Sequence, residues 1–128
     1  MGVDMMKLFI TIGAVSAFLS VALGAFGAHM LEGRIPAKYT DTWGKGVQYQ
    51  MFHAAGLLIV GLLAGKIGMP SVLNWSGWLM LFGTVVFSGS LYVLSVTQIK
   101  VLEAITPIGG VSFLAAWVLL IIAVNKYL

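Results

Sequence analysis

Four long apolar stretches dominate the chain, at residues 8–31, 47–65, 75–99 and 104–125. None of them contains Asp, Glu, Lys or Arg, and short polar segments separate them. A bilayer core about 30 Å thick requires about 20 helical residues at a rise of about 1.5 Å per residue. The pattern therefore predicts an all-α integral membrane protein, an antiparallel four-transmembrane-helix bundle.

Local signals refine the helix ends. The pair Thr106-Pro107 fits the N-cap and first turn of the fourth helix. Apolar residues at helical spacing extend the second helix toward the preceding loop, namely Trp43, Val47, Met51, Ala54 and Leu58. The connections are short, the longest being residues 32–46. We therefore predict a single transmembrane domain over residues 1–128, with helices at about 8–31, 43–65, 75–98 and 105–126.

The first stretch also admits a second interpretation. Lys7, the apolar run and the small-residue tail ALGAFGA together describe a secretory signal peptide. Because the run is long for such a signal, we favour a membrane-spanning helix.

Composition supports the membrane assignment and excludes several other classes. The chain of 128 residues is 60% hydrophobic and 9% charged, with a mean hydropathy of +1.03. Its net charge of +3 comes from Lys and Arg dispersed over the polar segments, which argues against nucleic-acid binding. Cysteine is absent, so the chain has no disulfide, no thiolate metal ligand and no cysteine nucleophile.

The basic residues do not fix the orientation in the membrane. Four crossings place Lys7, Lys66 and Lys126 on one side, and Arg34, Lys38, Lys45 and Lys100 on the other. This balance is almost neutral under the positive-inside rule. We expect a multi-pass protein of the cell membrane, in bacteria the inner or plasma membrane, with both termini on one side.

Polar residues concentrate in one half of the predicted bundle, where the end of helix 1, the start of helix 2, the end of helix 3 and the start of helix 4 meet. Gln50 and Glu103 lie in this half. The candidate polar pocket there consists of His29, Gln48, Tyr49, His53, Ser88, Ser90, Tyr92 and Thr106.

Four motifs in this half, in chain order, carry a family resemblance. They are GAFGAH (24–29), QYQMFHA (48–54), FSGSLY (87–92) and TPIGG (106–110). With them the chain resembles the domain-of-unknown-function 423 family of small bacterial membrane proteins. The resemblance implies a four-span membrane protein and supplies no catalytic residues.

Small residues and serines in these motifs have a structural interpretation. Small residues at three- or four-residue spacing let membrane helices pack closely. The predicted packing positions are Gly24, Gly27, Ala28, Gly61, Gly65, Gly89, Gly109 and Gly110. A backbone-lined pocket remains the alternative. The serines of FSGSLY are expected to bond within or between helices, because a catalytic serine would need a base and an oxyanion hole that the sequence does not reveal.

The two histidines differ in depth. His29 is close to Glu32 and is predicted to lie at the interface. His53 lies eight residues beyond Lys45, about 12 Å along the helix, where ionisable groups are functional candidates. It either binds a proton or ligand, or is a neutral ring bonded to Ser88, Tyr92 or a backbone carbonyl. A site built from both histidines and Glu103 lacks local ligand spacing, so we predict no metal and no cofactor.

Three classes of function remain open. We place first a helical scaffold or lipid- or amphiphile-binding module with a polar pocket in one leaflet. The alternative is a small-solute or proton-coupled transporter or channel subunit, which proton or ion flux lost in His53→Ala would favour. The third is an intramembrane lipid-directed enzyme, for which the chain offers no deep acid. The expected partners are the lipid bilayer and further copies of the chain, with a bound lipid or amphiphile left open.

Overall fold

The computed structural model describes residues 2–128, and most of them are helical. Helix α1 covers Gly2–Phe26 and continues into a π-helical turn, Gly27–Leu31. After a short loop, α2 covers Ala37–Ile67. Pro36, with ψ at 144°, is extended before α2, and Gly68, with φ at +74°, ends it. Glycine is favoured at such a positive φ because it has no Cβ.

The next crossing consists of three helical segments. Helix α3 covers Ser71–Gly83, a π-helical turn covers Thr84–Ser88, and α4 covers Gly89–Thr97. We call this continuous unit, Ser71–Thr97, the third span. Gln98 leaves it in a left-handed conformation with φ at +60°.

A 3-10 turn over Lys100–Ala104 leads into the last helix, α5, which covers Thr106–Tyr127. Within residues 2–128, four helical units are long and apolar enough to cross a membrane: Val3–Leu31, Ala37–Ile67, Ser71–Thr97 and Lys100–Tyr127. The prediction of an all-α protein with four membrane-spanning helices is confirmed. The units exceed the apolar stretches at several ends, most of all in α2, which begins at Ala37 rather than near residue 43.

Close backbone approach joins α1 to α2. A methyl group added at Gly27 would lie 2.5 Å from the Trp43 ring, and one at Gly61 would lie 2.7 Å from the Ile10 side chain. The late part of α1 therefore contacts the early part of α2, and the early part of α1 contacts its late part. Gly24 is also part of this contact, because its added methyl group would lie 3.3 Å from Val47.

The third span packs on α5 through hydrogen bonds and a glycine. Ser76 Oγ donates to the Ala116 carbonyl over 2.7 Å, and Ser112 Oγ donates to the Leu79 carbonyl over 2.7 Å. A methyl group at Gly109 would lie 2.5 Å from the Phe87 backbone nitrogen. The two helices thus lie too close at this point for any larger residue.

Two of the predicted packing positions lie in more open surroundings than the others. Ala28 is exposed within the π-helical turn of the first crossing. A methyl group at Gly89 would meet no atom within 4 Å. Of the others, Gly65 is exposed beside Met6, and Gly110 lies at ordinary van der Waals distance from the Phe87 ring. Gly89 therefore borders open space, and the site described below includes it.

The main apolar core lies toward the chain termini. It combines side chains from every crossing, namely Phe9, Leu57, Val60, Ala64, Leu73, Met80, Ala116, Leu120 and Ala123. The opposite half has fewer large buried apolar residues and more hydrogen-bonded polar side chains. This half holds the candidate site.

Candidate functional site

The polar residues predicted to form one pocket belong to separate hydrogen-bonded groups. One group links α4 to α5, where the Ser90 and Thr106 hydroxyls lie 2.6 Å apart. Ser90 Oγ also donates to the Phe87 carbonyl. Ser88, on the preceding turn, instead donates to the Gly46 carbonyl of α2 over 2.7 Å. These hydroxyls are satisfied within the protein and connect helices.

His53 is bonded at both ring nitrogens. The Trp117 indole N–H donates to its Nε2 over 3.0 Å, and its Nδ1 lies 2.8 Å from the Tyr49 carbonyl. Because an indole can only donate and a carbonyl can only accept, the ring is the neutral tautomer protonated at Nδ1. Phe113 stacks on it at 3.5 Å between centroids. His53 therefore connects α2 to α5, through partners other than Ser88 and Tyr92.

A third group runs from α1 through α2 to α4. Gln50 Nε2 donates to the Ser16 carbonyl over 3.0 Å, and the Tyr92 hydroxyl donates to Gln50 Oε1 over 2.6 Å. The Ser16 carbonyl can only accept, so it fixes which end of the amide faces α1. The Gln50 side chain is polar and yet only 5% exposed, within a helix long and apolar enough to span the membrane. We call Ser16, Gln50 and Tyr92 the polar chain.

The polar chain lies in the floor of a groove between α1 and the third span. The groove has a volume of about 540 Å³. Its walls are apolar, and exposed Val15, Leu19 and Val85 form its outer rim. We call it the lateral groove; the residues that line it are Thr11, Ile12, Val15, Ser16, Leu19, Leu23, Gln50, Leu81, Thr84, Val85, Gly89 and Tyr92.

Aromatic contacts flank the lateral groove at both ends, and we expect them to close it. Toward the termini, Phe9 packs into the space above Gly77 and meets Trp78 at 5.2 Å between centroids. At the other end Trp43 lies between Phe26 and Tyr92, at 5.6 and 4.7 Å. The Trp43 indole is held there by donating to the Leu23 carbonyl over 2.8 Å. Between these ends, the gap between α1 and the third span is the lateral groove, and Gln50 of α2 lies at its floor.

A second groove, the aromatic groove, lies between α2 and α5 and has a volume of about 450 Å³. Half of the residues that line it are aromatic rings, namely Tyr49, Phe52, Phe87, Phe113 and Trp117. His53 also borders it, but both of its nitrogens are already bonded. This groove therefore offers ring faces and few polar atoms.

The remaining predicted pocket residues lie at the surface. His29 and Gln48 are exposed, and Tyr49 is 43% exposed. Over the described range 2–128, no group of three His, Cys, Asp or Glu side chains is placed to hold a metal ion. The structure therefore separates the eight predicted pocket residues, and only Tyr92 of them lines the lateral groove.

Comparison with known proteins gives a consistent family assignment. The family model described as a protein of unknown function, DUF423, matches residues 23–110. The UPF0382 membrane protein YwdK of Bacillus subtilis is 56% identical over 123 residues, which cover 96% of this chain and 100% of that protein. The UPF0382 membrane protein SH2409 of Staphylococcus haemolyticus is 52% identical over 122 residues, covering 95% and 98% respectively. No solved structure matches the chain. The chain therefore belongs to the DUF423 family of membrane proteins.

Proposed function

We propose that this membrane protein binds a lipid or a similar amphiphile in the lateral groove. The groove is the observation that supports the proposal, because it combines apolar walls, a lateral opening and a buried polar chain. Its volume of about 540 Å³ lies within the range of about 300–1,000 Å³ typical of small-molecule sites.

The length of the groove matches an extended chain rather than a compact solute. Its lining on α1 runs from Thr11 to Leu23, which is about 18 Å along a helix. The opening lies between two helices, so an acyl chain can enter from the bilayer without crossing a polar layer. The polar chain at the floor would then orient the polar end of the ligand.

Gly89 provides a direct test of occupancy. Gly89 lines the lateral groove and a Cβ atom added to it meets no atom within 4 Å, so we expect the larger side chain of Gly89→Leu to occupy part of the groove. Gly44→Leu is the matched control, since Gly44 is also helical, a Cβ atom added to it also meets no atom within 4 Å, and Gly44 does not line the lateral groove. Native mass spectrometry after detergent exchange measures the lipid that each protein retains.

The proposal predicts that the unmodified protein and Gly44→Leu retain one lipid each, and that Gly89→Leu retains at least tenfold less. Equal retention by the three proteins would contradict it, because annular lipid does not depend on the groove. Retention by none of them would contradict it as well.

A further inference from the structure

We infer that the lateral groove selects an uncharged lipid with a free hydroxyl group, such as a diacylglycerol, over phospholipids. This inference rests on the proposed function and adds the chemical class of the ligand. Three independent features of the groove support it: its charge, the direction of its hydrogen bonds and the depth of its polar chain.

Among the residues that the structure describes, those that line the lateral groove include no charged side chain. Its polar members are hydroxyl and amide groups, at Thr11, Ser16, Gln50, Thr84 and Tyr92. A phosphate buried beside them would lack a counter-ion, and an unpaired charge is expensive inside a membrane protein. The groove therefore favours a neutral headgroup.

The direction of the hydrogen bonds favours a ligand that donates. Tyr92 uses its only proton to bond Gln50 Oε1, and Gln50 directs its N–H groups at Ser16. The tyrosine oxygen is left with acceptor capacity alone. An alcohol can donate to it, whereas an ether, an ester or a quinone cannot. At its Tyr92 end the polar chain thus pairs with a hydroxyl group and not with an ether, ester or quinone oxygen.

We expect the polar chain to lie deeper in the membrane than a phosphate headgroup. Ser16 is nine residues beyond Lys7, and Gln50 is five residues beyond Lys45. These separations correspond to about 13.5 Å and about 7.5 Å along the helix axes. A lipid whose polar end is a single hydroxyl can lie at this depth, while a phospholipid would have to draw its headgroup into the hydrocarbon.

The inference is testable with three lipids that share the same two oleoyl chains. Nanodiscs are loaded at equal mole fraction with 1,2-dioleoylglycerol, its 3-O-methyl ether or dioleoyl phosphatidic acid. Native mass spectrometry then measures the fraction of protein that retains each lipid. We expect the alcohol to be retained about threefold to tenfold more than the ether, the ratio for one net hydrogen bond. Phosphatidic acid should be retained least.

One substitution should remove the preference without closing the groove. In Gln50→Leu the Tyr92 hydroxyl loses its acceptor and can donate to the oxygen of either lipid, so the ratio of alcohol to ether should fall toward one. Gln48→Leu is the matched control: Gln48 is exposed and outside the lateral groove, so this variant should keep the full ratio.

The outcomes separate this inference from the proposed function. Equal retention of alcohol and ether by the unmodified protein would overturn the inference, as would preferential retention of phosphatidic acid. In either case a loss of lipid in Gly89→Leu would leave the proposed function standing. If no lipid is retained, or if Gly89→Leu retains as much as the unmodified protein, both proposals fail.

Discussion

The bond between His53 and Trp117 should be measurable as a coupling energy between α2 and α5. The 3.0 Å bond joins two helices at membrane depth, and the 3.5 Å stack with Phe113 holds the imidazole in place. The substitution His53→Phe keeps a ring against Phe113 and removes the acceptor. Trp117→Phe keeps an aromatic ring and removes the donor.

A double-mutant cycle isolates the bond from the loss of packing. Interhelical hydrogen bonds in membrane proteins average about 0.6 kcal/mol and reach about 1.7 kcal/mol. We expect the coupling energy between His53 and Trp117 toward the upper end, because the acceptor ring of His53 is buried, with 3% of its surface exposed. The free energy of unfolding is measured by reversible denaturation in mixed micelles, followed by far-UV circular dichroism.

A cycle on Trp78 and Asn74 serves as the control. Their bond is also 3.0 Å long, but it is exposed and lies within one helix. We expect a coupling of about 0.2–0.5 kcal/mol there. A coupling near zero for His53 and Trp117 would refute the assignment of His53 as an interhelical tie. A proton flux in liposomes that requires His53 would also contradict this assignment, because the ring would then have a role in transport.

Three further outcomes follow from the packing and the groove. Gly61→Ala should lower the free energy of unfolding by about 1–3 kcal/mol, because its methyl group would lie 2.9 Å from the Ile10 backbone nitrogen. In the same denaturation assay the control Gly44→Ala should be neutral or stabilising, because a methyl group at Gly44 meets no atom within 4 Å. Trp43→Ala should open the loop end of the lateral groove and speed lipid exchange, measured by stopped-flow fluorescence dequenching; an unchanged rate would contradict the closing role. Gln50→Leu should lower the stability by about 1–2 kcal/mol through the loss of bonds to two helices, and an unchanged midpoint would contradict the polar chain.

The crossings could be predicted from the sequence because apolar length alone specifies a membrane-spanning helix. The early start of α2 could not, because its first turns contain Lys38 and Asp41 and extend beyond the apolar stretch. Pro36 was the available signal, since proline commonly precedes or opens a helix.

The face that each helix turns inward was harder to predict than the crossing itself. The predicted stripe of α2 included Met51, which is 48% exposed, while its neighbour Gln50 is buried. Adjacent helical residues point about 100° apart, and in a membrane both lipid-facing and buried faces are apolar, so hydropathy distinguishes them poorly. Gln50 lies three residues after Val47 and four before Ala54, and this spacing together with its amide group could have identified it.

The single polar pocket was predicted from depth, and depth does not determine which side chains meet. Ser88 and Tyr92 are four residues apart in the same crossing, yet Ser88 bonds Gly46 and Tyr92 bonds Gln50. The π-helical turn at Thr84–Ser88 ends with Ser88 and changes the register of the third span between Thr84 and Tyr92. Sequence patterns based on a regular helix do not anticipate such a turn. Gly89 directly follows the turn, and its prediction as a packing position assumed a regular helix.

A density map of the protein in lipid nanodiscs tests the central claim most directly. Our account predicts elongated density in the lateral groove, running between Val15 and Val85 and ending within hydrogen-bonding distance of the Tyr92 hydroxyl. The claim would be contradicted by a map in which α1 closes against the third span, or in which the groove contains no ordered lipid while the polar chain is clearly resolved.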